Sequence, residues 1–514
     1  MTTPSSVQSR LPANPADTGT GTTAEQRPEA TVKRMLIGGR WVESRTGAWR
    51  EVISPAHRGR VLGQVPEAGP DDVDRAVAAA RAAWPAWRDQ HFTARQRQLL
   101  KIADLVEQRA DELARITAAD TGNALRTQAR PEVATLVDLF RYFGGVAGEV
   151  KGYTLPAGPA QLQYTRQEPL GVVGGILPWN SPLMIAGFKV PAALAAGNTV
   201  VLKAAEDAPL SILLLAEICQ DVLPPGVLNV VTGAGATVGQ ALVNHDGVDK
   251  VSFTGSTEVG RRIAQQAASR LAHVSLELGG KSPSIVFPGE VTDALIDGLL
   301  LSSRVTRQGQ SCTAGTRLFV HRDVHDEVVA RLVTRMSALT VGDPLDEATD
   351  IGAIINETQF RTVGDYLDEG LSDPRLTLEL GGLPPDTGPL AEGYFHLPTL
   401  FSGADNSFRL AREEIFGPVL VAIPWDDVDD VIRMANDSAY GLAAYVWCDD
   451  IHRAVDTAHR LEAGWVQVNQ GGGQVVGQSY GGYKQSGIGR EVSLEGMIAG
   501  FTQTKQINIQ LADR

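Results

Sequence analysis

The chain has 514 residues, of which 43% are hydrophobic and 21% are charged, the proportions of an ordinary folded protein. At this length several domains with substantial cores are expected, so neither a disulfide framework nor a structural metal is needed for stability. The formal net charge of −14 would repel a nucleic-acid duplex, and no local basic stripe compensates for it. Nucleic acid is therefore not an expected partner.

The three cysteines, Cys219, Cys312 and Cys448, lack C-x-x-C spacing and are too few for a disulfide framework, which favours a reducing compartment. No run of about 18 uninterrupted apolar residues is present, so no membrane-spanning helix is predicted. Residues 1–31 are rich in Pro, Thr, Ser, Ala and Gly and do not resemble a signal peptide. We expect them to form a disordered tail and the protein to be cytoplasmic.

Helices are predicted early in the chain. Pro70 and Asp71 are typical of a helix N-terminus, where an acidic group is favourable. The run from Arg95 to Thr117 repeats apolar residues at helical spacing and is predicted to be one helix. Residues 153–168 are polar and alternating, which predicts an exposed hairpin.

After Pro169, short β-rich runs alternate with helical segments. The predicted strands are Gly171–Leu177, Thr199–Leu202, Val227–Val231, Lys250–Phe253 and Val274–Leu278, and the predicted helices are Leu183–Ala196, Pro209–Val222, Ala236–Val243 and Glu258–Ala268. Such alternation is typical of βαβ crossovers, which build a mostly parallel sheet with helices on both faces. The alternation restarts after Pro283, so a second α/β domain is predicted.

Two glycine-rich loops follow predicted strands and lead into predicted helices, as phosphate-binding loops do. The loop from Gly233 through Gly235 to Gly239 is one residue off the usual dinucleotide spacing, and such turns also occur without a ligand. In the other loop, the free N–H groups of a helix start after Gly255, together with the Ser256 hydroxyl, could hold a pyrophosphate. Neither loop identifies a cofactor by itself.

Cys312 is the candidate nucleophile. It lies in a segment of small and polar residues, Gln308 to Gly315, where a thiol is accessible and can be activated by a nearby helix N-terminus or base. Cys219 lies in an apolar helix and Cys448 ends an apolar strand, so packing is the favoured interpretation of both.

Glu277 is the candidate general base, because it is flanked by leucines at a strand end and partial desolvation would raise its pKa. The alternative, from the residues alone, is a carboxylate that points to solvent. His321 and His325 have the spacing of a metal pair on a helix, but no carboxylate or cysteine completes a site. We interpret both histidines as surface residues and predict no catalytic metal.

Seven motifs in chain order together resemble those of the aldehyde dehydrogenase superfamily, over a span from about Met35 to Ile509. The motifs are LPWN (Leu177 to Asn180), KAAE (Lys203 to Glu206), FTGS (Phe253 to Ser256), LELGGK (Leu276 to Lys281), GQSC (Gly309 to Cys312), EEIFGP (Glu413 to Pro418) and GGYKQSG (Gly481 to Gly487). The resemblance implies an oxidoreductase with two doubly wound-type α/β domains, one cofactor-binding and one catalytic, plus a small β element for oligomerisation or bridging.

The resemblance implies a catalytic role for four residues. Cys312 would attack the aldehyde carbonyl to form a thiohemiacetal, and the Asn180 amide with the Cys312 backbone N–H would hold the oxyanion. After hydride transfer to NAD, Glu277 would activate the water that hydrolyses the thioester. Lys189 matches a lysine that could act as a proton-relay partner.

The resemblance also implies the residues that hold NAD. They are Ile176, Leu177, Pro178, Trp179, Lys203, Glu206, Gly235, Gly239, Phe253, Thr254, Gly255, Ser256, Val259, Leu278, Gly279, Glu414 and Phe416. Lys203 and Glu206 match adenosine-ribose contacts, and Glu414 with Phe416 matches the nicotinamide-ribose side. A carboxylate at the ribose accepts the 2′-hydroxyl and repels a 2′-phosphate, so Glu206 favours NAD over NADP, although Lys203 could pair with a phosphate.

Several positions depart from the common family pattern around the substrate. Ser181, Thr306 and Arg307 stand where aromatic or amide residues are frequent, and Gly471 to Gly473 replaces a bulkier loop segment. These changes indicate a wider, more polar or more mobile entrance tunnel, without naming the aldehyde.

We predict a cofactor-binding domain from residues 32–150 and 170–281, a catalytic domain from 282–490, and bridging segments at 151–169 and 491–514. Since a tail strand of this kind would otherwise leave an exposed edge, a homodimer or homotetramer is expected.

Two other functions remain open. One is a semialdehyde dehydrogenase of the same fold that acylates CoA, but such enzymes typically lack the deacylating glutamate, so Glu277 counts against it. The other is a non-catalytic relative, which would be free to lose Cys312, Glu277 and Asn180, so the presence of all three counts against it.

Overall fold

The computed structural model describes residues 31–511, so the predicted tail, apart from Thr31, lies outside the described residues. Its helices are α1 (Pro70–Arg88), α2 (Phe92–Gln108), α3 (Ala110–Thr121), α4 (Arg130–Gly145), α5 (Pro182–Ala196), α6 (Leu210–Gln220), α7 (Gln240–Asn244), α8 (Thr257–Ala268), α9 (Asp293–Ser303), α10 (His325–Ser337), α11 (Glu357–Ser372), α12 (Arg409–Arg412), α13 (Val428–Asn436), α14 (Ile451–Arg460) and α15 (Leu494–Phe501). Across residues 31–511, no helix combines the length and the apolar character needed to cross a bilayer.

The strands are short and occur throughout the described residues. They are β1 (Thr31–Val32), β2 (Met35–Ile37), β3 (Arg40–Val42), β4 (Trp49–Ile53), β5 (Val61–Pro66), β6 (Thr154–Leu155), β7 (Gln161–Pro169), β8 (Val172–Ile176), β9 (Thr199–Lys203), β10 (Leu228–Val231), β11 (Lys250–Thr254), β12 (His273–Glu277), β13 (Pro283–Val286), β14 (Arg317–His321), β15 (Thr377–Leu380), β16 (Thr399–Ser402), β17 (Val419–Trp425), β18 (Tyr440–Gly441), β19 (Ala443–Trp447), β20 (Trp465–Val468), β21 (Tyr483–Lys484), β22 (Gly487–Ile488) and β23 (Thr502–Gln510).

The first sheet has eight strands in the order β22-β12-β11-β8-β9-β10-β2-β3. Strands β8 to β12 are parallel, and β8, β9, β10 and β11 are buried along their whole length, as expected for a sheet covered on both faces. The chain adds β9 and β10 on one side of β8 and then β11 and β12 on the other. The strand order therefore reverses between β8 and β11, and a crevice opens there at the carboxyl ends of the strands.

The second sheet has seven strands in the order β15-β16-β17-β14-β13-β19-β20, all parallel except β15 at the edge. Buried aromatic and aliphatic side chains, including Phe319, Phe401 and Tyr445, fill the space between this sheet and its helices. The predicted pair of α/β units with mostly parallel sheets is thus present.

A three-stranded antiparallel sheet in the order β23-β7-β6 combines the two predicted bridging segments. Strand β23 pairs with β7 over nine residues, from Thr502 opposite Pro169 to Gln510 opposite Gln161. Strands β6 and β7 form the hairpin that was predicted between residues 153 and 168. The pairing joins chain segments far apart in sequence.

Two details differ from the sequence predictions. The predicted helix from Arg95 to Thr117 is divided at Arg109, whose backbone (φ −107°, ψ 21°) leaves the helical region. The Arg109 side chain pairs there with Glu112 and Glu217, at 2.8 and 2.9 Å. Strand β22 lies in the range predicted for the catalytic domain, but it pairs antiparallel with β12 and so covers an edge of the first sheet.

Candidate active site

A cavity of about 340 Å³ lies at the carboxyl edge of the first sheet, facing the loop that carries Cys312. The predicted site residues that line it are Pro178, Trp179, Asn180, Thr254, Gly255, Ser256, Glu277, Leu278, Gly279, Cys312, Glu414 and Phe416. The other predicted residues do not line this cavity; they are Ile176, Leu177, Lys189, Lys203, Glu206, Gly235, Gly239, Phe253 and Val259. The cavity thus brings the candidate nucleophile and the candidate base together.

Two glycines after Glu277 allow the two sheets to meet at the cavity. A Cβ atom on Gly280 would overlap the carbonyl oxygen of Cys312, and one on Gly279 would overlap the Glu414 carboxylate. The Gly280 N–H donates to Glu414 Oε1 at 3.0 Å. The segment between β12 and β13 therefore packs closely against both the nucleophile loop and Glu414.

The Cys312 loop is also held by close backbone packing. Gly309 has a positive φ of 65°, and a Cβ atom on it would overlap the carbonyl of Gly417, so glycine is required at this position. Cys312 itself is half-buried and lies at the cavity wall, as the polar loop predicted.

Burial raises the pKa of the Cys312 thiol to about 11, so a base must remove its proton before the sulfur can act as a nucleophile at neutral pH. The Tyr480 hydroxyl lies 3.6 Å from Cys312 Sγ and opposes that shift. Tyr480 was not among the predicted site residues. The GGYK motif that directly follows it was the signal that could have drawn attention to it.

The two N–H donors predicted for an oxyanion site are the Asn180 amide, which lines the same cavity as the thiol, and the backbone N–H of Cys312 itself. One hydrogen of the Asn180 amide is donated to the Gln310 carbonyl at 2.9 Å, which orients the side chain and leaves the second N–H hydrogen available. The Asn180 carbonyl accepts a hydrogen bond from Asn123. Among residues 31–511, no acceptor takes the backbone N–H of Cys312. Unpaired donors at this point suit a negative charge that develops during a reaction.

Glu277 ends β12 and is 4% exposed, and neither carboxylate oxygen has a hydrogen-bond partner within the described part of the chain. Burial and the nearby Glu491 carboxylate raise its pKa well above the usual range, against the opposing charges of Lys189 and Arg490. The solvent-pointing alternative is therefore wrong, because the carboxyl group is desolvated at the cavity wall. A carboxyl group in such a setting is suited to proton transfer.

Lys189 lies within α5, behind the cavity wall. Its Nζ donates to Glu491 Oε1 at 2.9 Å and to Ser252 Oγ at 3.1 Å, and both side chains of the ion pair are almost fully buried. Glu491 Oε2 has no partner among the described residues. Glu491 was not predicted as a site residue, although it follows the GGYK motif closely.

The segments that follow β9 and β10, beside the crevice, have features that fit a dinucleotide. Strand β9 ends at Lys203, whose Nζ lies 3.5 Å from Glu206 Oε2, and the same carboxylate oxygen accepts the Gly235 N–H at 2.6 Å. Gly239 lies next to Ile176. Glu206 thus presents a fixed carboxylate at the crevice, where a ribose hydroxyl could donate to it.

The start of α8 is the second feature that fits a dinucleotide. Ser256 caps the helix by accepting the Val259 N–H at 3.4 Å, and the first N–H groups of the helix point outward. Gly255 packs over the Phe253 ring with no room for a Cβ atom. Thr254 Oγ1 is buried without a partner in the described residues, which suits a polar ligand group.

Glu414 and Phe416 close the opposite side of the crevice. Burial raises the pKa of Glu414 to about 7, and the Trp179 and Phe416 rings pack edge to face with centroids 5.3 Å apart. Phe416 has a positive φ of 55°, a strained conformation for a residue with a side chain. The residues predicted for the nicotinamide side therefore line the same cavity as Cys312.

The remaining candidates lie outside the site. Cys219 is fully buried in α6, and Cys448 is 8% exposed at the end of β19. His321 and His325 are half-buried and lie 3.6 and 2.9 Å from Asp323 and Asp326, respectively. Within residues 31–511, no cluster of three His, Cys, Asp or Glu side chains is arranged to hold a metal ion.

Only some of the positions that depart from the family pattern line the cavity. Ser181, Arg307 and Gly473 line the cavity, whereas Thr306 does not. Burial lowers the pKa of Arg307 to about 10, so that it stays protonated at neutral pH.

Known proteins match this chain over nearly its whole length. The aldehyde dehydrogenase family model matches residues 41–507. A hydroxyisobutyraldehyde dehydrogenase from Mycolicibacterium austroafricanum is 42% identical over 483 residues, which are 94% of this chain and 94% of that protein. The NAD+ complex of an aldehyde dehydrogenase from Bacillus cereus is 38% identical, with a TM-score of 0.90 over 93% of this chain and 97% of that one.

A third match, an NAD-dependent aldehyde dehydrogenase from Sinorhizobium meliloti, is 38% identical, with a TM-score of 0.91 over 94% of this chain and 95% of that one. These likenesses confirm the α/β fold class and the family that the seven motifs predicted. The chain belongs to the aldehyde dehydrogenase family.

Proposed function

We propose that the chain catalyses the NAD-dependent oxidation of an aldehyde to a carboxylic acid, with hydrolysis of a thioester as the last step. The observation that carries the proposal is the shared cavity of Cys312, Asn180 and Glu277, next to a crevice whose residues fit a dinucleotide. Similarity to the Bacillus cereus protein, whose structure is an NAD+ complex, supports the choice of cofactor.

The Cys312 thiolate attacks the aldehyde carbonyl carbon, and the oxygen of the resulting thiohemiacetal is held by the Asn180 amide and the Cys312 backbone N–H. The thiol proton must first be removed, because the buried thiol has a raised pKa. Glu277, which lines the same cavity, can assist in taking up that proton, but its main role is in the hydrolytic step. One oxyanion donor of this kind is typically worth about 2.7–4 kcal/mol.

NAD, when bound, supplies the acceptor for the hydride that the thiohemiacetal loses as it becomes a thioester. Lys203, Glu206, Ser256 and Glu414 would hold the cofactor. Glu277 then takes a proton from water, and the hydroxide adds to the thioester and releases the acid from Cys312. The proton would then pass from Glu277 to the carboxylate of Glu491, with Lys189 as the partner that holds this carboxylate in the relay.

A cysteine variant tests the covalent step. Cys312→Ala should lower the rate of absorbance increase at 340 nm, with NAD and a panel of aldehydes, by about 10³-fold or more, because no thiohemiacetal can form. NAD binding, measured by calorimetry, should persist. Cys448→Ala is the matched control and should turn over normally. Normal turnover by Cys312→Ala would contradict the assignment.

A glutamate variant tests the hydrolytic step. Glu277→Gln should slow deacylation by roughly 100-fold or more and accumulate an acyl-enzyme adduct on Cys312, detected by mass spectrometry. In the parent enzyme the rate of deacylation should increase with pH, because Glu277 must lose its proton before it can act as a base. The increase should occur above the usual pH range for a carboxyl group, since burial raises the pKa of Glu277. The Gln variant should lose this rise. Glu290→Gln, at an exposed position, is the control; unchanged deacylation in Glu277→Gln would assign the base elsewhere.

Glu206 is proposed to set the preference for NAD over NADP. Lys203 interacts electrostatically with the carboxylates of Glu67, Asp207 and Glu206. The surroundings of the proposed adenosine end are therefore rich in carboxylates. Glu206→Ser should raise the ratio of kcat/KM with NADP to that with NAD by about 10-fold, as repulsion of the 2′-phosphate is removed. An unchanged ratio would mean that another residue contacts the 2′ position.

The acylation of CoA by the same thioester is the alternative reaction. The presence of the buried Glu277 favours water as the acyl acceptor, because such enzymes typically lack this glutamate. Addition of CoA to the 340 nm assay separates the two: a requirement for CoA would contradict hydrolysis.

We also propose that the chain forms a homodimer or homotetramer through the β23-β7-β6 sheet. Four large apolar side chains on these segments, Tyr153, Leu155, Leu162 and Ile509, are between 37% and 63% exposed, and an exposed strand edge favours pairing with a partner. Three free cysteines support a cytoplasmic location.

Light scattering at micromolar concentration tests the assembly. The mass should be two or four times the chain mass of 54.8 kDa. A deletion after Thr502 removes β23 and should shift the mass toward the monomer. A monomer mass for the intact chain would contradict the proposal.

A further inference from the structure

One wall of the cavity combines an apolar surface with two arginines. Met184, Ile185 and Phe188 from α5 form the apolar part, and Arg304 and Arg307 come from the turn that precedes the Cys312 loop. An aldehyde bound to Cys312 would extend along this wall.

Arg304 has a structural role in this wall. It is 6% exposed, and its guanidinium donates to the Gly472 carbonyl at 2.6 Å and to the Tyr445 hydroxyl at 3.4 Å. Gln467 donates to the same Gly472 carbonyl at 3.0 Å. Arg304 therefore holds the glycine-rich loop in place and has few donors left for a ligand.

Arg307 is different, because it lines the cavity and its guanidinium has no partner among the described residues. Among residues 31–511, it has neither a hydrogen-bond acceptor nor a carboxylate oxygen within 4.0 Å. Its backbone is fixed by two hydrogen bonds of 2.8 Å, to the Arg304 carbonyl and from the Gln310 N–H. The cation is thus positioned by a tight turn five residues before the nucleophile.

The nearest opposite charge does not neutralise Arg307. Glu132 in α4 is 1% exposed, and its Oε1 accepts the backbone N–H groups of Leu183 and Met184, at 2.8 and 3.1 Å. Burial raises the pKa of Glu132 to about 7, so near neutral pH it is only partly ionised. An unpaired guanidinium in a largely desolvated position is unfavourable, and a ligand anion would relieve that cost.

A guanidinium presents its N–H donors as a planar fork that matches a carboxylate in two parallel hydrogen bonds. One cation also matches the single charge of a carboxylate better than the double charge of a phosphate ester. The apolar wall of Met184, Ile185 and Phe188 suits the methylene groups of a short chain. On the basis of the proposed function, we propose that the substrate is the semialdehyde of a dicarboxylic acid, that is, an aldehyde with a carboxylate at its far end. Arg307 binds this carboxylate.

The test compares acids with their uncharged counterparts. The kcat/KM values of 4-oxobutanoate, 5-oxopentanoate and 6-oxohexanoate are measured with NAD beside those of their methyl esters. In the parent enzyme, the kcat/KM of the best acid should exceed that of its ester by about 100-fold. Arg307→Gln should abolish most of this ratio, mainly by raising the KM of the acid, since Arg307 does not contact the reacting atoms. Arg307→Lys should retain part of it. Arg322→Gln, a surface arginine, is the matched control and should retain all of it.

A binding measurement without turnover keeps the test independent of the chemistry. In Cys312→Ala, the dicarboxylate that corresponds to the best acid should raise the Tm, and its monomethyl ester should raise it less, whereas with Arg307→Gln added the two should not differ. Equal kcat/KM for acids and esters in the parent enzyme, or an unchanged ratio in Arg307→Gln, would overturn the inference. Oxidation of the esters alone would overturn it while leaving the proposed function intact; oxidation of no aldehyde would overturn both.

Discussion

The site depends on the close approach of two backbone segments that side chains would prevent. Gly279 and Gly280 pass between the carbonyl of Cys312 and the carboxylate of Glu414, and a Cβ atom on either glycine would overlap one of these groups. The acid at the end of β12 and the thiol of the loop before β14 can share a cavity only because of this approach. A residue larger than glycine at position 280 would force the first sheet and the nucleophile loop apart, whereas at position 279 it would displace the Glu414 side chain.

The electrostatics of the cavity follow from the same close packing. Burial raises the pKa values of four groups at the cavity, which favours the neutral form of each: Cys312, Glu277, Glu414 and Tyr480. The thiol, the phenol and the Glu277 carboxyl group thus favour their uncharged forms in a low-dielectric space, whereas Glu414 is partly ionised near neutral pH. Against this background Arg307 keeps its charge, which makes it a strong determinant of what the cavity accepts.

Most of the fold and the chemical core of the site were predictable from the sequence, because they depend on local patterns. Apolar runs ended by glycine and proline predicted the parallel strands, and the motifs of the family resemblance predicted Cys312, Asn180 and Glu277 as site residues, which the structure places around one cavity. Tyr480 and Glu491 were missed because their roles depend on contacts across 168 and 302 residues of chain. The break at Arg109 was missed because apolar periodicity continues across it, and only the contacts with Glu112 and Glu217 distinguish two helices from one.

Strand β22 has a consequence for the order in which the protein matures during synthesis. It supplies the last edge of the first sheet, and next to it Ser486 donates to the Gly279 carbonyl at 2.6 Å across 207 residues of chain. Glu277 thus stays at an open strand edge on the ribosome until residues 480–491 have emerged. The cavity that holds the thiol and its base is therefore completed late in synthesis, well after Glu277 and Cys312 have both been made.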